Sequence, residues 1–181
     1  MTNRVGTSVA VVLLLAGLAG AAEVRFPLTG DNTKVTFTGT KPEGKHDGGF
    51  KALTGTAAVD PADPTTLRLA VEIDMNSLYS DDPKLTGHLK TNDFFGVRSN
   101  PKSKFVSTKV ERDGDGYKVS GKLTLVGKTK EVTFPAKITA SAGKLTLTSS
   151  FKIDRTAWGM TYGKGKIDDE ASIGVSVEAA K

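Results

Sequence analysis

His46 and His88 are the only two histidines in a chain of 181 residues, and imidazole is the side chain best suited to move protons or hold a metal near neutral pH. Neither lies in an HExxH pair or a zinc-finger spacing. Cysteine is absent, which removes disulfides and thiolate metal sites. Serines are plentiful, but none sits in a GxSxG elbow that would present a nucleophile to a base. GxGxxG is also missing. Gly163-Lys164-Gly165-Lys166 has the residue types of a phosphate loop without its spacing, and reads as a polar hairpin tip. Asp168, Asp169 and Glu170 lack the calcium-loop pattern and read as a solvent-facing cluster. The histidines therefore read as hydrogen-bonded structural residues, with no catalytic residue and no metal ligand assigned. A His-dependent metal or hydrolytic enzyme is the alternative, and it requires both imidazoles to meet a carboxylate in space.

Arg155 continues the inward phase of Phe151 and Ile153. An arginine placed there needs a carboxylate or carbonyl partners, because an unpaired interior charge is costly. It either ties the end of its strand to a neighbouring segment or meets a polar ligand. The phase then breaks, since Trp158, Met160 and Tyr162 alternate on even numbers, so a turn or bulge must separate Ile153 from Trp158.

The elements that must position these residues alternate with period two. Val35 and Phe37; Leu67, Leu69, Val71 and Ile73; Tyr117, Val119, Leu123 and Leu125; Val132, Phe134, Ala136 and Ile138; Leu145, Leu147, Phe151 and Ile153; and Ile173, Val175 and Val177 each mark a strand with one buried face. Phe50–Val59 and Phe105–Glu111 bring the number to about eight. Asp113–Gly116, Val126–Lys128 and Ser141–Lys144 are hairpin signals. Pro135 falls inside a strand run and marks an edge, bulge or bend. No long amphipathic helix interrupts the series, so a parallel βαβ sheet is not expected. A short helix is expected from Pro83 to about Asn92, with Asp81 and Asp82 at its N-terminus. An all-β, eight-stranded antiparallel barrel with a short helix at one end follows, with a two-sheet sandwich as the alternative.

Residues 1–22 read as a cleaved signal peptide: Arg4, then the apolar run Val9–Leu18, then Ala19, Gly20, Ala21 and Ala22. Residues 23–181 form the single mature domain. Ten apolar residues are too few to cross a bilayer of roughly 30 Å, so no integral membrane span is expected after cleavage. The product would be periplasmic or secreted. The whole chain has 25 basic and 20 acidic residues, and the segment 1–22 removes only Arg4, leaving a net charge of +4. Charge this mild and dispersed does not suit a nucleic-acid binder.

Three passages resemble the YceI-like family of exported lipid- or polyisoprenoid-binding proteins. Gly87–Phe105 (GHLKTNDFFGVRSNPKSKF) is similar to its His-Leu-Lys, Asp-Phe-Phe and Pro signature. Tyr117–Phe134 (YKVSGKLTLVGKTKEVTF) resembles its Gly-x-Leu-Thr-Leu-x-Gly hairpin, and Ile153–Gly159 (IDRTAWG) its Arg-x-x-aromatic-Gly element. Thr38–Phe50 (TGTKPEGKHDGGF) departs from the family pattern, being richer in glycine. The resemblance implies an extended, lipocalin-like barrel with no enzymatic activity and no cofactor. Its apolar channel would hold a polyisoprenoid, an isoprenoid quinone or a fatty lipid for transport, storage or sequestration. Strand phase offers Phe37, Leu69, Val71, Leu123, Leu125, Phe134 and Leu147 as channel lining. Phe94 and Phe95 would plug one end, and Trp158 would join the wall. His88, Arg98 and Arg155 are the head-group candidates, with Lys90, Lys102 and Lys104 as further positive charges. A structural or stress-related barrel with a packed interior is the competing reading, and a homodimer is possible.

Overall fold

The structure, a computed structural model, describes residues 23–181; the expected signal peptide lies outside them. Eleven strand segments follow one another: β1 (Val24–Thr29), β2 (Thr33–Lys41), β3 (Gly44–Phe50), β4 (Leu53–Asp60), β5 (Asp63–Asp74), β6 (Leu78–Ser80), β7 (Lys102–Asp113), β8 (Gly116–Leu125), β9 (Lys128–Ala140), β10 (Lys144–Asp154) and β11 (Glu170–Ala180). One helix, α1 (Pro83–Leu89), joins β6 to β7 across a long connection.

The eleven segments reduce to eight long strands. β1 and β2 run on in one direction, β1 pairing with β4 and β2 with β3. β3 and β4 form their continuous partner, kinked at Lys51 and Ala52. β5 and β6 form the next, kinked at Met75–Ser77, with β4 against β5 and β3 against β6. At the kinks the Lys51 N–H donates to the Ser77 carbonyl at 3.3 Å and the Asp74 N–H to the Ala52 carbonyl at 3.1 Å. β5 then pairs with β7, and antiparallel neighbours continue through β8, β9, β10 and β11. β11 returns to β2, so the sheet curls back to its first strand. The number read from the alternation is therefore the number of long strands. β1, β3 and β6 were not legible as separate pieces.

The hairpin signals hold. Asp113–Gly116, Val126–Lys128 and Ser141–Lys144 each connect paired strands. Pro135 does more than bend β9. The β9–β10 ladder runs from Ala140–Leu145 to Lys137–Thr148 and stops there. Proline has no N–H to give, and the Ser149 hydroxyl donates instead to the Pro135 carbonyl at 2.5 Å.

α1 starts where expected. The Asp82 carboxylate accepts from the Leu85 N–H at 2.9 Å, and Pro83 occupies the first turn. It ends at Leu89, one turn before Asn92, and the chain from Lys90 continues as turns: the Phe95 N–H reaches back to the Leu89 carbonyl at 3.1 Å and the Val97 N–H to the Lys90 carbonyl at 3.0 Å. This folds Phe94 and Phe95 inward over the barrel.

The interior is unevenly filled. At the end away from α1, Phe26, Leu28, Val59, Val119, Leu145 and Leu147 are almost wholly buried. Toward α1 the inward-phase residues Val35, Phe37, Val71, Phe105, Phe151, Ile153, Ile173 and Val175 are only half-buried.

Candidate functional site

Those half-buried side chains surround a cavity of ≈ 340 Å³. They face inward by strand phase and still touch open space, so the wall is apolar because the pleat turns alternate hydrophobic residues toward it. The sheet supplies most of this wall. Leu85, Leu89, Phe94, Phe95 and Ile167 close over one end. Phe37, Phe50 and Phe95 pack as a triad with ring centroids 5.9–6.2 Å apart. Glycine makes this possible: a Cβ on Gly48 would stand 2.6 Å from the Tyr79 carbonyl oxygen and press into the Phe37 ring.

Nine of the residues offered as lining lie on the cavity wall: Phe37, Leu69, Val71, Phe94, Phe95, Leu123, Leu125, Phe134 and Leu147. Trp158 does not. It is buried with Met75, Val97, Leu125 and Met160 in a separate cluster, and its indole N–H donates to the Leu123 carbonyl at 3.3 Å. Its ring packs into that cluster and does not reach the cavity, although Met160, two residues on, does. Its turn, Arg155–Trp158, is capped by the Asp154 carboxylate, which accepts from the Thr156 N–H at 2.8 Å and its hydroxyl at 2.6 Å. These bonds hold the Asp154 carboxyl below its usual range. Gly159, at φ 93°, ends the turn in the left-handed region.

The head-group candidates fare differently. Arg155 is on the wall and only 7 % exposed at its side chain, but every N–H is engaged. It donates to the carbonyls of Met160 (2.6 Å), Tyr162 (2.9 Å), Asp168 (3.0 Å) and Ile167 (3.2 Å), and to the Asp169 carboxylate at 3.5 Å. A guanidinium has five donors, so nothing remains for a ligand. It is the tie between β10 and the loop that follows. His88 is off the wall: it pairs with Asp93 at 2.8 Å and stands edge-on to Phe94 and Tyr162, at 5.1 and 4.8 Å. Arg98 is exposed and also off the wall, as are Lys90, which donates to the Asn76 carbonyl at 2.8 Å, and Lys102 and Lys104, which both pair with Glu72.

Lys41 and His46 were missed as wall residues. Both occupy inward-phase positions where the β2–β3 hairpin reaches the cavity mouth, together with Thr40, Asp168 and Glu170. The glycine-rich character of Thr38–Phe50 hid a strand, and without the strand no phase could be assigned. The acidic run is likewise not idle: Asp168 accepts from the Thr40 hydroxyl, Asp169 meets Arg155 and Glu170 pairs with Lys152 at 3.1 Å. Among the described residues the Lys41 ammonium makes no ion pair or hydrogen bond, so it is the uncommitted cation of the mouth.

The two histidines have separate partners. His46 Nδ1 lies 3.0 Å from Asp81, and Asp81 also accepts from the Asp47 N–H at 3.1 Å. Among the described residues no group of three His, Asp or Glu side chains is arranged to hold a metal. The backbone bond from Asp47, then His46, keeps the Asp81 carboxyl below its ordinary value of 3.8. A depressed carboxyl stabilises the fold above that ordinary value and loses its effect as pH falls through the folded one. Asp81→Asn is therefore expected to melt below the wild type at neutral pH, with the gap closing in acid. Melting curves recorded from neutral pH downward check this, and a gap constant with pH would refute it.

Comparison with known proteins agrees with the barrel. The YceI-like domain family matches residues 26–179. Protein YceI of Salmonella arizonae is 30% identical over 187 residues, covering 99% of this chain and 97% of its own. A UPF0312 protein of Pectobacterium atrosepticum is 36% identical over 129 residues, covering 70% and 67%. Among solved structures, Burkholderia cenocepacia BcnA superposes with a TM-score of 0.75 at 25% identity, covering 82% of this chain and 96% of its own. A polyisoprenoid binding domain from Saccharophagus degradans shares the fold at a TM-score of 0.66 and 14% identity, covering 88% and 99%. From Phe26 to Ala179 this chain belongs to the YceI-like domain family.

Proposed function

We propose that the protein is an exported binding protein, not an enzyme, that holds the hydrocarbon chain of an amphiphilic lipid in the barrel cavity. A polyisoprenoid or an isoprenoid quinone is the preferred ligand, with a fatty lipid as the next. The observation that carries this is the ring of inward-facing apolar side chains that stay half-exposed around ≈ 340 Å³ of space. A barrel filled throughout by its own side chains, the competing structural reading, does not match that half of the molecule. The polyisoprenoid binding domain that shares the fold supports the ligand class.

The cavity takes a chain segment on the order of ten heavy atoms, taking ~30 Å³ each as for liquid water. At ~0.8 kcal/mol per buried methylene, less the cost of ordering the chain, the buried part gives micromolar affinity or weaker. The polar end lies at the mouth, beside Lys41 and His46. Native mass spectrometry after purification without detergent, followed by lipid extraction, tests the reading. A bound prenyl or acyl lipid is expected, together with uptake of a short prenyl alcohol by the delipidated protein. An empty barrel that takes up neither a prenyl nor an acyl chain would refute it.

A further inference from the structure

β8, β9 and β10 carry an unusual outer face. Lys118 and Lys122 lie on β8, Lys137 on β9, and Lys144 and Lys152 on β10, and all five are exposed and outward by strand phase. The same strands hold two acids, Glu131 and Asp154. Ser and Thr fill most of the other outward positions. Among the described residues only Lys152 of the five has an ion-pair partner, Glu170. Elsewhere acids are present among or in place of the cations: Glu72 sits between Lys102 and Lys104, and β11 carries Glu170 and Glu178 with no cation.

The interruption of the β9–β10 ladder lies in this face. Beyond Lys137 and Thr148 no backbone pairing joins the two strands, and only the Ser149 hydroxyl crosses, to the Pro135 carbonyl. The wall there consists of side chains: Phe134 and Phe151 stack across the gap with centroids 4.5 Å apart and planes at 11°. Val132 and Ile153 stand on either side of it, and all four line the cavity. Along the paired strands, by contrast, backbone hydrogen bonds close the barrel.

We propose that this lysine face docks on an anionic lipid bilayer and sets the β9–β10 seam over the headgroups as the side passage by which a chain reaches the cavity. The passage rests on the lipid-binding reading; the docking does not. Lysine is suited to a phosphate-rich surface because each exposed cation is drawn to it independently, in a manner that salt screens.

The experiment is sedimentation with phosphatidylcholine vesicles, with and without phosphatidylglycerol. Wild-type protein is expected to bind only the anionic vesicles and to be released by salt. The variant Lys118→Gln/Lys137→Gln/Lys144→Gln is expected to bind about a hundredfold more weakly. The control Lys84→Gln/Lys164→Gln/Lys166→Gln, with the same change in charge, should bind as wild type. Equal losses in the two variants, or no binding by the wild type, would overturn the proposal. Because the chain has no cysteine, one introduced thiol labels one place. A polarity-sensitive dye on Ser150→Cys should shift on anionic vesicles, whereas on Thr56→Cys of β4, half-way round the barrel, it should not. A shift at Thr56→Cys alone would place the docking surface elsewhere. Uptake of a prenyl alcohol from solution reads the cavity separately: the triple variant should keep it. If uptake fails in every form while docking persists, the passage is refuted with the lipid reading and the docking surface stands.

Discussion

Replacing Arg155 with methionine is expected to cost about 3–5 kcal/mol of stability. The side chain is 7 % exposed and donates to four carbonyls and one carboxylate drawn from residues 160–169. Methionine fills similar space and supplies no donor, so one buried and four part-buried acceptors lose their partner at once. Lysine keeps the charge but not the planar fork, and should recover only a minor part. The loss should be spatially graded. Residues 160–169 lose the guanidinium that gathers them, and Thr40 and Asp168 at the cavity mouth follow. Urea unfolding followed by the fluorescence of Trp158, the only tryptophan, measures the global term, and amide exchange over residues 160–169 the local one. A loss below about 1 kcal/mol would mean that water replaces the guanidinium at little cost.

The same residue shows what could be read from the sequence. The alternation of Phe151 and Ile153 placed Arg155 inward and demanded partners. It could not say that all five partners come from one loop, because a loop without periodicity offers no phase to extrapolate. The barrel itself was legible because burial on one face imposes period two on every long strand. Val119, Phe134, Leu147 and Val177 all fall where that rule puts them, in the core. It failed where the residues carry no hydrophobic contrast. Gly44–Phe50 is a strand whose inward positions are Gly44, His46, Gly48 and Phe50, and three of the four look like turn or surface residues. Lys41 and His46 therefore escaped notice, although they face the mouth. His88 and Arg98 were favoured because they lie in the most distinctive passage. Distinctiveness there serves folding: the His88–Asp93 pair and the turns after Leu89 set Phe94 and Phe95 over the barrel end. Trp158 was misplaced for a related reason. A lone tryptophan beside a channel suggests a wall, but the cap at Asp154 and the left-handed Gly159 turn it into the cluster below.

Val175→Trp is expected to weaken chain binding about a hundredfold while leaving the fold intact or slightly more stable. Val175 sits midway along β11, opposite Val35 on one side and Ser149 on the other. It faces the cavity and is half-buried. An indole projecting from that point occupies a large share of ≈ 340 Å³ without meeting backbone, because the space ahead of it is empty. Filling an apolar void commonly adds ~0.5–2 kcal/mol of stability. The ligand bears the opposite effect: excluding four methylenes at ~0.8 kcal/mol each removes ~3 kcal/mol, or about a hundredfold in affinity. A protein whose interior serves only as packing would show the first effect with no second. Isothermal titration with a short prenyl alcohol, beside thermal melting of the same samples, separates the two. Retained binding in Val175→Trp would put the ligand outside the barrel. Lost binding together with a collapsed melting temperature would show that the indole does not fit, and the smaller Val175→Phe then carries the test, with weaker binding at unchanged stability as its expected result. The two arms differ because stability is set by the filled end around Phe26, Leu28 and Leu145, whereas binding is set by the end the chain leaves open.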